Sequence, residues 1–335
     1  MRGIDEVQVT QTANDTNETT GWPWPHFPRS DDPSVGVDQQ TYDDLVRYTK
    51  YASGAYQFQS IITSTKGFIA RDDNREEFVV AFKGSSDTTT ILLDASIILA
   101  PLKGPGLPPL DPSAVSRSAE PRVHVGFLLG YNSVAQKVLD ELALQLRAYP
   151  SYNIVACGHS LGGSFASIAS VAFSHTFPRR CVTLYTFGQP RTGNPPFAEL
   201  VERAIGTERI YRCVHLVDGV PTMIPTQLGY RHFGAEYWQF TELGAPKNVK
   251  HFEGGEDPNG SGNIPSTGVN PAHWVYFLQR EFSKHVHALT RAPLSPQVAS
   301  TIKVMLTKSF WTCSHRLGSN CMHLGELMRI PPTNA

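Results

Sequence analysis

The sequence predicts an α/β fold with a mainly parallel central sheet covered by helices on both faces. Three observations carry that expectation. The apolar runs 152–157, 182–187 and 210–217 are continuous rather than alternating, which suits strands buried on two sides. Segments of helical periodicity lie between such runs, so strand and helix alternate, as parallel sheets joined by right-handed crossovers require. Finally, Gly158-His159-Ser160-Leu161-Gly162 follows the first run directly and precedes Gly163 and a stretch of small residues. That is the pattern of a strand, a tight turn on a serine and a helix.

The elements follow in order. Residues 1–38 are rich in Thr, Asn, Asp and Pro, with Trp22 and Trp24 between prolines, and read as an irregular arm. Thr41 with Asp44 marks a helix start, and Leu45, Val46, Thr49, Ala52, Ala55 and Tyr56 recur behind it at helical spacing. Residues 67–71 and 77–82 read as strands joined by the polar turn Asp72-Asp73-Asn74. Prolines are too dense from 101 to 121 for a helix or central strand, which makes that stretch surface loop. Leu128, Tyr131, Val134, Ala135, Val138, Leu142 and Leu146 then form one stripe along a helix over 127–146, with core packing as its role. The helix after the serine turn reaches about Phe173. One α/β domain is thus expected over 39–287, with 288–335 an extension of unassigned role.

With 335 residues the chain is long enough for one large core. A net charge of −1 offers no basic field to nucleic acid and no polybasic patch to anionic lipid. The most apolar stretch, 91–102, is too short and interrupted to span a bilayer, so no transmembrane segment is expected. Of the five cysteines, Cys157, Cys181 and Cys213 lie in or beside strands, where a thiol acts as a small hydrophobe. Cys313 and Cys321 flank a short loop and could pair. No Cys-x-x-Cys occurs, so neither a metal nor a redox site is expected. Residues 1–6 lack the apolar core of a secretory leader, whereas Asn14, Asn17 and Asn259 each open a glycosylation triplet. The compartment stays open on these grounds.

A serine at such a turn is a candidate nucleophile. The turn strains Ser160, exposes its hydroxyl above the sheet edge, and aims the Leu161 amide at a developing oxyanion. The hydroxyl needs a neutral imidazole to take its proton, and the imidazole needs a carboxylate to fix its tautomer. In doubly covered sheets these groups sit on loops beyond the carboxyl ends of strands. Asp218 closes the 210–217 run ahead of Gly219, which makes it a candidate carboxylate or a turn former. Among the later histidines, His285 and His287 fall late in a helix, His251 in a charged segment, and His232 reads as half-buried and structural. His273 follows the cap Asn270-Pro271 and precedes the apolar 274–278, a loop-to-helix boundary that can hold an imidazole steady. The order is then Ser, Asp, His.

Seven ordered stretches make the pattern specific. They are 79–86 with Asp94 downstream, 123–127, 155–163, 185–194, 214–221, 236–238 and 273–277. In these, the chain resembles the fungal class 3 lipases, the family of filamentous-fungal triacylglycerol lipases and related feruloyl esterases. The resemblance implies an α/β-hydrolase fold over roughly residues 40–285, with Ser160 as nucleophile, Asp218 as carboxylate and His273 as base. It also implies Ser85 as a second oxyanion donor, through amide and hydroxyl, beside the Leu161 amide. No metal or organic cofactor is implied. The expected partner is a lipid or ester substrate, met by a monomer, and the family favours a secreted protein.

Between Ser86 and Leu99, the residues Ile91, Leu92, Ala95, Ile98 and Leu99 share one helical face. That stripe is either ordinary core packing or a lid. The family places at least 87–93 over the site mouth, where Ile91 and Leu92 would make transient contact with a lipid interface. Three departures stand out. Lys83 replaces the usual Arg, keeping charge but losing the bidentate fork. Aliphatics replace the common lid tryptophan, and no cysteine precedes Cys157 to tie the N-terminal segment down. Two other readings remain: a feruloyl or small-ester esterase, and a non-catalytic lipase-like binding protein.

Overall fold

The structure is a computed structural model of the 335-residue chain. It describes residues 28, 31–32, 34–57, 67–84, 97–110, 119–278 and 302–305. The first helix, α1 (Gln39–Gly54), begins earlier than Thr41 because Asp38 is the better cap. Its carboxylate accepts from the Thr41 amide at 2.8 Å and from the Thr41 hydroxyl at 2.6 Å. The strands β1 (Gly67–Asp72) and β2 (Glu77–Phe82) form an antiparallel hairpin. A small two-stranded pair, β3 (Leu99–Pro101) with β4 (Arg122–His124), leads into α2 (Val125–Ala148). Strand β5 (Asn153–His159), α3 (Leu161–Thr176), β6 (Val182–Phe187), α4 (Pro195–Ile205) and β7 (Ile210–His215) then alternate as expected. The short strands β8 (Glu236–Gln239) and β9 (Val249–Phe252) follow, and β10 (Ile302–Met305) closes the sequence of described elements.

The main sheet has eight strands in the order β10-β1-β2-β5-β6-β7-β8-β9. Pairing is parallel from β2 through β8 and antiparallel at both margins. Helices cover both faces. Phe78, Val80, Phe82, Ile154, Ala156 and Leu184 share a core with residues of α2, α3 and α4. Val79, Ala81, Val155, Cys157 and Tyr185 point the other way and pack with Leu45, Tyr48 and Ala52 of α1. Two-sided burial is why these strands read as unbroken apolar runs.

Several expectations change. Leu99 belongs to β3 and Ile98 is exposed, so a helical stripe cannot continue to Leu99. The core of that stripe, with Ile91 and Leu92, lies outside the described residues, as do His285, His287, Cys313 and Cys321. The proline-rich stretch carries Leu102 and Leu107 into the core, so it packs down rather than merely crossing the surface. Cys181 is exposed just before β6, whereas Cys157 and Cys213 are buried. Of the extension, residues 302–305 take a place in the sheet by pairing antiparallel with β1, Ile69 opposite Met305. No described helix is long and apolar enough to cross a membrane.

Candidate active site

The candidate nucleophile is positioned by the β5–α3 junction. Ser160 stands between the two elements at φ 57° and ψ −130°, a conformation that costs a non-glycine residue on the order of 1–3 kcal/mol. The glycines around it leave no room for side chains. A Cβ on Gly162 would overlap the Phe82 carbonyl of β2, and one on Gly158 would overlap the Gly162 backbone. The Ser160 amide donates to Phe187 O at 2.8 Å, tying the turn to the end of β6. Leu161 is the first residue of α3, so its amide has no acceptor within that helix and can face an anion. One expectation fails here. Ser160 is fully buried rather than exposed.

Asp218 lies past β7, which ends at His215, short of the predicted 217. Leu216 turns the chain at φ 45°, and the Asp218 carboxylate accepts from the Val220 amide at 2.9 Å. His273 sits on a 3₁₀ turn, Pro271–Trp274, capped as predicted by Asn270, whose side chain accepts from the Ala272 amide at 3.0 Å. The packed helix expected over 274–278 is not found there: Val275 is extended, and 277–278 form a turn with Phe277 and Leu278 at positive φ. His273 and Asp218 meet. Nδ1–H donates to the carboxylate at 2.9 Å (Oδ2) and 3.1 Å (Oδ1), with both side chains out of solvent. This fixes the tautomer that leaves Nε2 as the basic atom, and Nε2 has no hydrogen-bond partner among the described residues.

Sequence reasoning missed the residues that hold this pair. The Tyr276 hydroxyl donates to Asp218 Oδ2 at 2.5 Å. Burial first, and then the carboxylate beside it, push that phenol well above its usual range, so it stays a donor. Gly188, at φ 59°, lets β6 pass beside the pair: a Cβ there would come 2.7 Å from Asp218 Oδ2 and 2.9 Å from His273 Nδ1. The Tyr56 hydroxyl donates to His159 Nδ1 at 2.8 Å, and Lys83 Nζ donates to Tyr56 O at 3.3 Å. The ammonium thus serves as a buried brace for the segment that leads to residue 85. Ser85 itself lies outside the described residues. His232 is fully buried, not half-buried. Its Nε2–H donates to Pro221 O at 2.9 Å, steadying the loop that carries Asp218. A periodicity analysis finds none of these, because each acts through a contact across the fold.

A cavity of about 460 Å³ opens between the Thr222–Gln227 loop and residues 262–266, with Arg191 and Glu256 on its wall. No member of the Ser160, Asp218, His273 set lines it. Among the described residues no group of three His, Cys, Asp or Glu side chains could hold a metal ion. A serine hydroxyl, an imidazole and a carboxylate are the groups that nucleophilic acyl transfer uses.

Comparison with known proteins agrees with that chemistry. Residues 79–228 match the family described as Lipase (class 3). A lipase of Rhizopus niveus is 31% identical over 187 residues, 54% of this chain and 43% of that protein. This chain thus spans under half the length of that relative. A secreted alkaline triacylglycerol lipase of Penicillium cyclopium is 27% identical, over 72% of this chain and 85% of its own. The crystal structure of a lipase from Rhizopus microsporus var. chinensis superposes with a TM-score of 0.64 at 27% identity. It covers 79% of this chain and 99% of the other.

Proposed function

We propose that this chain, which matches the class 3 lipase family over residues 79–228, hydrolyses carboxylic esters, acylglycerols foremost, through an acyl-enzyme on Ser160. The observation that carries the proposal is the buried, hydrogen-bonded His273–Asp218 pair, together with a serine buried at a strained strand-to-helix turn. His273 Nε2 takes the Ser160 proton as Oγ attacks the ester carbonyl, and Asp218 stabilises the imidazolium that forms. The Leu161 amide, joined in this reading by Ser85, receives the oxyanion. His273 then protonates the leaving alcohol and activates water, which releases the acid and restores Ser160.

Acylglycerols are favoured because relatives are named triacylglycerol lipase and mono- and diacylglycerol lipase. Those same names say secreted, and secretion belongs to this reading. The buried nucleophile supports a second part of it. Substrate cannot reach Ser160 until something moves, and the family assigns that role to the segment holding Ile91 and Leu92. Fluorophosphonate labelling tests the chemistry, together with an ester panel from acetate to long-chain triglyceride. Labelling of Ser160 with a preference for long acyl chains is expected. An unlabelled, folded protein returns the reading to a binding module, and a preference for aryl or acetyl esters favours the feruloyl-type esterase.

A further inference from the structure

We infer that His159 and His215 are positioning residues, a pair of neutral imidazoles that clamp the two consecutive backbone carbonyls of Ala272 and His273 and so set the pose of the base. The inference rests on the ester-hydrolase reading of Ser160 and His273. His159 is the last residue of β5 and His215 the last of β7, so two strand ends each deliver a ring to the same short turn. His159 Nε2–H donates to His273 O at 2.7 Å, and His215 Nδ1–H donates to Ala272 O at 3.0 Å. Both rings are buried, His159 completely.

The turn needs such help. Its four residues make one 3₁₀ turn, entered by a 3.0 Å bond from the His273 amide to Asn270 O and left at the extended Val275 by a long 3.4 Å bond from the Val275 amide to Ala272 O. A turn of that length has weak hydrogen-bond geometry, and 275–278 behind it are not helical. The imidazoles add a donor to His273 O and a second, shorter bond to Ala272 O. A carbonyl can accept only from a ring N–H, so the bond to His273 O fixes His159 with its proton on Nε2. The Tyr56 hydroxyl then donates to Nδ1, and the Gly84 amide faces the Tyr56 oxygen. This chain of contacts joins the strand leading to residue 85, the residue next to the nucleophile and the main chain of the base. His159 is the peptide neighbour of Ser160 and its ring centre lies 4.5 Å from that of His273, so one side chain sets the register between nucleophile and base. A displacement of about 1 Å in such a register costs on the order of 10²-fold in rate.

The two donors sit on different ring atoms, and that allows a decisive test. Asparagine presents its amide N–H where Nδ1 stands in histidine, and glutamine where Nε2 stands. In the full chain, His215→Asn and His159→Gln each retain a matched donor, whereas His215→Gln and His159→Asn do not. The readouts are kcat and KM on a soluble short-chain ester, the fluorophosphonate labelling rate, and the thermal midpoint. The matched variants are expected to keep most of the rate. The mismatched ones should lose roughly 10- to 100-fold in kcat and labelling rate, at nearly constant KM. Equal rates for matched and mismatched variants at either position would overturn the clamp there. So would equal impairment of both at an unchanged thermal midpoint. If the His159 variants fold poorly, the His215 pair decides. Ser160→Ala separates the two claims: full activity in that variant removes Ser160 as the nucleophile, whatever the clamp variants do.

Discussion

Tyr276 places a phenol hydroxyl 2.5 Å from Asp218 Oδ2, on the carboxylate that orients the base. Replacing Tyr276 with Phe leaves one carboxylate oxygen with a bond fewer in a buried site, and kcat should fall roughly 10-fold, about 1.4 kcal/mol, with KM little changed. Steady-state kinetics on a soluble ester measure it. In the proposed mechanism the three central residues act as one unit. Ser160→Ala and His273→Ala are each expected to cost on the order of 10⁴-fold or more, Asp218→Ala somewhat less, and the double variants no more than the worst single. A His273→Ala enzyme as fast as wild type would reassign the base. At this scale the sequence was informative where a residue announces itself by its chain neighbours. Ser160 sits in its glycine frame, Asp218 precedes Gly219, and His273 follows Asn270-Pro271. It was silent on Tyr276, Gly188 and the clamp, because a hydroxyl or imidazole that serves through a contact 58 or 114 positions away leaves no local pattern.

Elements were legible in proportion to their burial. The continuous strands β5 and β6 and the helix stripe of α2 emerged from apolar patterning because both rest in the core. The four-residue strands β8 and β9 did not, since strands that short at a sheet margin carry too few periods to register. The loop after β6 offers an element-level prediction. At φ 59° Gly188 is in the left-handed region, and an added methyl would press on Asp218, His273 and Tyr276 together. Gly188→Ala should therefore lower kcat by about 10²-fold or more, through displaced acid–base geometry, while circular dichroism stays native-like. The lid segment gives another. If Ile91 and Leu92 close the mouth in water and turn outward at a lipid surface, burying ~200 Å² there returns about 5 kcal/mol, enough to reverse a closed-to-open equilibrium. Activity should then jump as an insoluble ester passes its solubility limit. Changing both residues to Ser should blunt the jump while sparing soluble esters. A smooth saturation curve in the wild type would count against a lid.

For the whole molecule, acid sensitivity follows from its buried imidazoles. Burial holds His124, His159, His215 and His232 below the usual histidine range, with His124 pushed down to about 4. The sign is uniform. Near pH 6.5 the unfolded chain binds protons that the folded chain refuses, so stability is complete above that pH and declines as pH falls. For His124 the decline extends to about pH 4 and amounts to at most about 3 kcal/mol. His124 caps α2, its Nδ1 accepting from the Gly126 amide at 3.1 Å, a bond that a charged ring cannot make. Asparagine caps without titrating, so His124→Asn should flatten the pH dependence of the urea midpoint between pH 6.5 and 4. An unchanged slope would assign the acid sensitivity to the other three. The layered architecture was readable in advance because alternation of strands and helices constrains it tightly. The place of 302–305 at the β1 edge was not, since no apolar period in the extension points to a strand two hundred residues earlier.

The order of strands in the sheet also governs how the molecule comes into being. Phe78 of β2 pairs with Ile154 of β5, and Ile69 of β1 with Met305, so much of the sheet joins stretches of chain synthesised far apart in time. Such non-local pairing is slow, because long loops must close before any contact rewards them. The nucleophile, carboxylate and base emerge in succession at 160, 218 and 273, each at the end of a different strand or on a turn that other strands hold. Under the proposed mechanism, hydrolytic competence is therefore expected late in folding, after the parallel centre has closed. During renaturation from urea, recovery of esterase activity should lag behind recovery of helical signal, and a nascent chain released before His273 should be inert.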